Sequence, residues 1–170
     1  MNRLAVLAAT LIGCSSSGPS LERASIGSLA FGTPSGWAKR DLSNRQRAMF
    51  EWAPSSDDNE RKESLTVVRA DRPATAKSTT EQLQRFLADA QRGMAGATFS
   101  APQSFTTRHG FRGVRVEGDF IAPQAAAVRY RRIHAVIVDG TSLVNVLYTA
   151  RGPDRENFDA VVDSFFREGV

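Results

Sequence analysis

Strict alternation of apolar and polar residues between Arg112 and Ile121 predicts a β-strand. The apolar side chains occupy one set of alternate positions and the charged side chains occupy the other: Val114, Val116 and Phe120 against Arg115, Glu117 and Asp119. Successive side chains of a strand point to opposite faces, so the segment has an apolar face and a charged face. We therefore predict a sheet with one buried face and one face in water.

Two more strands follow, and the residues between them indicate antiparallel pairing. The break at Ala122–Ala126 precedes a second strand, which extends from Val128 to Val138. Asp139-Gly140 is a strong hairpin signal, and the third strand extends from Leu143 to Ala150. The three strands are therefore expected to lie side by side in one antiparallel sheet.

The charged face of the first two strands carries three arginines on the same side, Arg115, Arg129 and Arg131. Antiparallel pairing would set Glu117 near Arg131 and Asp119 near Arg129. These carboxylates argue against a bare anion site. We call the three arginines the arginine face and take it as the candidate contact surface for a partner.

The first half of the chain predicts short strands joined by turns. Apolar and β-branched runs predict strands at Ile26–Phe31, Arg47–Trp52 and Leu65–Arg69. Two glycines and a proline within Gly32–Trp37 predict a turn there.

Two helices are indicated by apolar residues at helical spacing. The first helix has its apolar stripe at Leu83, Phe86, Leu87, Ala90 and Met94, and the second at Phe158, Val161, Val162 and Phe165. Ser78 with Glu81, or Thr79 with Gln82, offers a capping box at the start of the first helix. Gly93 or Gly96 offers its end. Each stripe is expected to pack on the sheet.

The first thirteen residues have the composition of an export signal. Arg3 supplies the positive charge, and residues 4–12 form an apolar run far shorter than the roughly 20 residues that span a bilayer. The run ends in Leu11-Ile12-Gly13-Cys14, which resembles the lipobox of bacterial lipoprotein signal peptides. In that family the cysteine is joined to a diacylglycerol and becomes the first mature residue. The resemblance implies a signal peptide at residues 1–13 and acyl chains on Cys14 that hold the protein to a membrane.

Cys14 is the only cysteine, so no disulfide can form within the chain, and lipidation would explain an odd cysteine in an exported protein. The alternative is an unmodified thiol beside an ordinary signal peptide that is cut elsewhere. Ser, Gly and Pro enrichment predicts a flexible tether at residues 14–25, and residues 26–170 are expected to form a single domain. Ser15 replaces the Asp that, in the lipoproteins this chain resembles, often signals inner-membrane retention. We therefore expect the outer membrane, facing the periplasm.

Motifs for catalysis, metal binding and phosphate binding do not occur in the sequence. His109 and His134 each lack a second His or Cys at ligand spacing. There is no Gly-x-Ser-x-Gly and no Gly-x-x-x-x-Gly-Lys, and the acidic residues 57–60 lack the spacing of a calcium loop. The net charge of +4 is too dispersed to indicate nucleic acid. We predict no catalytic residue, no metal site and no cofactor.

A resemblance to a known fold family covers roughly residues 26–168. It rests on Pro34-Ser35-Gly36-Trp37, on the long strands through Tyr130 and Tyr148, and on residues 161–165. Together these resemble PsbP/Mog-type domains, which include bacterial DcrB-like lipoproteins. The resemblance implies an α+β fold, with an antiparallel sheet and flanking helices in an α/β/α sandwich. Members are mostly binding or assembly modules without catalysis.

The expected function is that of a lipid-anchored, non-enzymatic envelope protein that binds a protein partner or an amphiphile. One alternative is an envelope hydrolase that uses His109 or His134. A cleft that pairs either histidine with a serine and a carboxylate would favour it. Another alternative is an accessory subunit of a secretion or transport assembly.

Overall fold

The computed structural model describes residues 19–55, 63–70, 76–121, 128–140, 142–151 and 156–167. Along these residues the strands and helices are β1 Leu21–Ile26, β2 Leu29–Pro34, β3 Trp37–Asp41, β4 Arg47–Pro54, β5 Ser64–Ala70, α1 Ala76–Gly93, β6 Ala95–Phe99, β7 Gln103–Thr106, β8 Arg112–Ile121, β9 Arg129–Asp139, β10 Ser142–Arg151, α2 Glu156–Asp163 and β11 Phe166–Arg167. The predicted signal peptide, Cys14 and the acidic residues 57–60 lie outside them. Neither helix within these ranges is long and apolar enough to cross a membrane.

The strands form two antiparallel sheets. The larger one has the order β3-β4-β5-β10-β9-β8-β6, with β7 also paired to β8, and the smaller one has the order β1-β2-β11. β8, β9 and β10 lie side by side near the middle of the large sheet, as the residues between them predicted. The predicted antiparallel pairing of these three strands is confirmed.

The large sheet is covered on both faces. Ile133, Ala135 and Ile137 of β9 point into a core that they share with α2 and the small sheet. Val136 of the same strand points to the other face, into a second core with Leu83 of α1. An antiparallel sheet between two covering layers, each with a helix, is the α+β sandwich that the sequence predicted.

The N-terminal part of the domain differs from the prediction. β1 begins at Leu21, so the tether predicted for residues 14–25 is wrong over its last five residues. The single strand predicted at Ile26–Phe31 is a hairpin instead, because Gly27, with a φ of 63°, turns the chain between β1 and β2. β2 also continues through Gly32, Thr33 and Pro34, which the sequence analysis assigned to a turn.

The register of β8 and β9 is displaced by two residues from the predicted one. Asp119 lies opposite Arg131, and Glu117 lies opposite Ile133 rather than Arg131. Arg129 lies opposite Ile121 rather than Asp119. A shift of two residues keeps every side chain on the same face, so alternation alone cannot distinguish the two registers.

The charged face of β8 is less exposed than predicted. The side chains of Arg115 and Glu117 are only 16% and 17% exposed, and Asp159 of α2 contacts Arg115. The prediction of a wet face is therefore wrong at these positions, because α2 and the small sheet lie over that side of the large sheet.

The first helix has the predicted end and four of the five predicted stripe residues, but an earlier start; the fifth, Met94, follows the last residue of α1. Leu83 and Ala90 are buried, Phe86 and Leu87 pack beside Leu83, and α1 ends at Gly93. It begins at Ala76, so Ser78 and Thr79 lie inside the helix rather than at the predicted N-cap.

Candidate functional site

The structure places the three residues of the arginine face on one side of β8 and β9 but neutralises two of them. Arg115 Nη1 lies 3.1 Å from Asp159 Oδ1, and Arg131 Nε lies 3.5 Å from Asp119 Oδ1. Arg129 is exposed and has no carboxylate partner among the residues that the structure describes. The hypothesis that this face contacts a partner stays a prediction.

A cleft of about 670 Å³, here called the helix cleft, separates α1 from strands β4, β5 and β10. Amide side chains such as Gln82 of α1 and Asn145 of β10 line it, together with Arg47, Phe86 and His134. Most of these groups offer hydrogen bonds, so the cleft suits a polar ligand.

His134 is the most perturbed titratable group in this cleft. Its Nε2 lies 3.1 Å from Oδ1 of Asn145, and its ring meets the edge of Phe86 with the ring centroids 4.5 Å apart. The pKa of His134 is lowered to about 4, chiefly because the side chain is buried. The hydrogen bond to Asn145 raises this pKa, and the positive charge of Arg132 lowers it further. The imidazole is therefore neutral at pH 7.

A carbonyl oxygen as partner fixes the tautomer of this imidazole. Nε2 must carry the hydrogen, and it donates a hydrogen bond to Oδ1 of Asn145. Nδ1 is buried and has no hydrogen-bond partner in the described part of the chain. A catalytic histidine of the Ser-His-Asp type is instead oriented by a carboxylate and contacts a nucleophile. No serine is among the described residues that line the helix cleft.

The stability of the protein should depend on pH through His134. In the unfolded chain the imidazole binds a proton near pH 6.5, whereas in the folded protein it does so only near pH 4. Between these values the unfolded state binds more protons, so the stability falls as the pH falls through this window. We expect the free energy of unfolding to be roughly 2 kcal/mol lower at about pH 5 than at about pH 8.

Urea unfolding of two histidine variants at both pH values checks this assignment. His134→Gln should lose this part of the pH dependence. His109→Gln, which replaces an exposed histidine, should keep it. The same pH dependence in His134→Gln as in the wild type would contradict the assignment to His134.

A second cavity, here called the loop cavity, has a volume of about 680 Å³. It is lined by four consecutive residues of the β7–β8 loop and the start of β8, by one residue of β9 and by both residues of β11: His109, Gly110, Phe111, Arg112, Val138, Phe166 and Arg167. The loop is held by Thr107, whose backbone N–H donates to Phe111 O at 2.8 Å and whose hydroxyl accepts from Phe111 N at 3.1 Å. Gly110, with a φ of 83°, allows the tight return of the chain.

The buried carboxylate of Asp139, beside this cavity, forms ion pairs with two arginines. Arg167 donates from Nε and Nη2 to Oδ1 of Asp139, at 3.0 and 2.8 Å, and Arg69 Nη1 lies 3.5 Å from Oδ2. Asp139 is on the large sheet and Arg167 is on the small one, so this ion cluster ties the two sheets together. Arg112 is exposed and has no partner of its own among the described residues, which leaves the cavity wall positive.

Aromatic rings line the cavity beside the arginines. The rings of His109 and Phe166 have their centroids 6.0 Å apart, and the guanidinium of Arg167 lies 5.9 Å from the centroid of Phe111. His109, a candidate for the hydrolase alternative, lies in this cavity beside neither a serine nor a carboxylate among the described lining residues. The cavity itself was not predicted from the sequence. Among the described residues, no three His, Cys, Asp or Glu side chains form a group that could hold a metal ion.

Comparison with known proteins identifies the fold. No family model matches the chain, and no curated protein matches it. A solved protein of Bacteroides thetaiotaomicron is 10% identical, and the match covers 82% of this chain and 45% of that one with a TM-score of 0.47. PA94 of Pseudomonas aeruginosa is 11% identical, and the match covers 78% of this chain and 83% of that one with a TM-score of 0.41. The cyanobacterial PsbP of Synechocystis sp. PCC 6803, CyanoP, is 22% identical, and the match covers 92% of this chain and 98% of that one with a TM-score of 0.58. The described domain therefore has a PsbP-like fold, as the sequence resemblance predicted.

Proposed function

We propose that this chain is a lipid-anchored protein of the cell envelope whose PsbP-like domain is a non-catalytic binding module for a protein partner or an amphiphile. The anchor is Cys14, at the end of the lipobox-like run, and the site of action is the outer membrane, facing the periplasm. β1 starts at Leu21, so only six residues separate Cys14 from the first strand of the domain. The domain is thereby held close to the membrane surface.

The hydrogen-bond partner of His134 is the observation that favours a binding function rather than a catalytic one. A general base is most effective when its pKa lies near the working pH, and the pKa of this imidazole is lowered to about 4. Its partner is the carboxamide of Asn145 rather than a carboxylate. His109 lines the loop cavity beside arginines and phenylalanines. The helix cleft and the loop cavity offer amides, cations and aromatic rings, which are groups that hold a ligand in place.

Replacing Cys14 with alanine should abolish the lipid anchor. We expect the wild-type chain to incorporate radiolabelled palmitate and to sediment with the membranes, and Cys14→Ala to lose both the label and the sedimentation. Ser16→Ala alters the same polar stretch without removing the thiol and should behave as the wild type does. A wild-type chain that is exported without the label would contradict the anchor and favour an ordinary signal peptide.

Recovery of partners tests the binding role separately. The wild-type chain and Cys14→Ala are each captured from detergent-solubilised envelope, and the co-purifying proteins, lipids and small molecules are identified by mass spectrometry. A specific protein set with the anchored form supports an assembly module, and a specific lipid or small molecule supports an amphiphile carrier. Arg129→Glu in the same experiment tests the arginine face, and unchanged recovery would refute that contact surface. Recovery of nothing specific from either form would contradict a binding module.

A further inference from the structure

We propose that the loop cavity binds a small anion that carries an aromatic or other apolar group, an inference that rests on the proposed binding function and names a ligand class for it. The cavity combines a positive wall with exposed aromatic surface in one space of about 680 Å³. Pockets for small ligands usually have volumes of about 300–1,000 Å³. The cavity therefore has the size for one such molecule.

The charge of the wall selects an anion. Arg112 and Arg167 line the cavity. The carboxylate at this end of the large sheet, Asp139, is buried and is already bound by Arg167 and Arg69. Arg112 has no carboxylate within ion-pair distance among the described residues, so its guanidinium is available for an incoming carboxylate or phosphate. A divalent cation would be repelled by the same wall.

The aromatic groups of the wall select a ligand with an apolar part. Phe111, Phe166 and Val138 line the cavity and are only half-buried. An inorganic anion would contact the arginine and leave these surfaces in water, whereas an attached ring or alkyl group would remove them from water. Aromatic rings of a ligand also pack favourably on phenylalanine and beside guanidinium groups.

Calorimetric titration of the full-length chain in an uncharged detergent tests the proposal. The probes are phenylacetate, its neutral counterpart phenylacetamide, and inorganic phosphate. We expect phenylacetate to bind saturably with one molecule per chain, and each of the other two to bind at least about tenfold more weakly, since loss of one charged contact or of one buried ring is worth a factor of this order.

Two arginine variants locate the binding site. Arg112→Gln should weaken phenylacetate binding about tenfold and leave phenylacetamide unchanged, because only the charged contact is lost. Arg151→Gln removes another exposed arginine at the opposite end of the sheet, on β10, and should bind phenylacetate as the wild type does. Both positions are exposed, so both variants should keep the thermal unfolding midpoint of the wild type.

Three results would overturn the proposal. Equal binding of phenylacetate and phenylacetamide would remove the role of charge, and equal binding of inorganic phosphate would remove the role of the aromatic wall. Unchanged phenylacetate affinity in Arg112→Gln would place the ligand elsewhere. None of these results bears on palmitate labelling or on partner recovery, so the cavity can fail while the anchored binding module stands.

Discussion

Replacing Phe31 with alanine is expected to lower the free energy of unfolding by about 3–5 kcal/mol. Phe31 lies in the middle of β2 and is 1% exposed. Its ring meets the edge of Trp52 on the large sheet, with the centroids 5.5 Å apart, and stacks on Phe165 at 4.8 Å. The side chain is therefore a contact shared by the small sheet, the large sheet and the segment after α2 in one core, and its loss leaves a cavity among all three.

Urea unfolding of the variant beside the wild type measures this loss. Leu42→Ala is the matched control, because Leu42 is a large apolar residue that is 40% exposed. It should change the free energy of unfolding by no more than about 0.5 kcal/mol. A cost below about 1 kcal/mol for Phe31→Ala would mean that the small sheet contributes little to the core.

The sequence predicted the large sheet well where alternation is strict. The segment from Arg112 to Ile121 is β8, with the predicted bounds, and the strand predicted from Val128 to Val138 is β9 to within one residue. Alternation identifies a strand and its faces because the side chains repeat every two residues. It leaves the register open, since a shift of two residues conserves every face.

The small sheet could not be predicted in the same way. β1 is a short edge strand, and Ile26 is its one fully buried residue in the structure. Its burial depends on β2 and on Arg69, a residue far away in the chain that contacts the hairpin through Ile26 O. The contact between Arg115 and Asp159 could not be predicted either, because 44 residues separate the two in the sequence. The residues near Arg115 do not indicate which layer of the fold lies over the charged face.

The loop cavity shows the same limit for a site. His109 and Arg112 are close in the sequence, but Val138 and the pair Phe166-Arg167 come from other parts of the chain. They meet because Phe166 pairs with Ala30 of β2, which brings β11 beside the loop. A two-residue strand gives no pattern that a sequence can reveal. A basic and aromatic loop, Arg108 to Arg112, was the one available signal.

Replacing Asp139 with asparagine should lower the free energy of unfolding by about 3 kcal/mol. The side chain of Asp139 is 4% exposed, and its carboxylate holds both Arg167 and Arg69. Asparagine keeps the shape but removes the charge, so both arginines lose their counter-ion in a partly desolvated place. The loss stays near the lower end for buried ion pairs because Arg167 is 47% exposed and can turn to water.

Asp119→Asn is the matched control, since it makes the same substitution in an ion pair on the same sheet. Its partner is Arg131, and both side chains are about 30% exposed, so the cost should be below about 1 kcal/mol. Equal costs for the two variants would contradict the claim that burial decides the strength of the Asp139 cluster. Urea unfolding of both variants provides the comparison.

The Asp139 variant also connects stability to the proposed ligand. Arg167 belongs both to the ion cluster that ties the sheets together and to the wall of the loop cavity. Without the carboxylate, this guanidinium is free to bind an anion, so phenylacetate should bind to Asp139→Asn more tightly than to the wild type while the fold becomes less stable. Lower stability with unchanged affinity would mean that Arg167 serves the fold alone and that Arg112 is the cation that recognises the ligand.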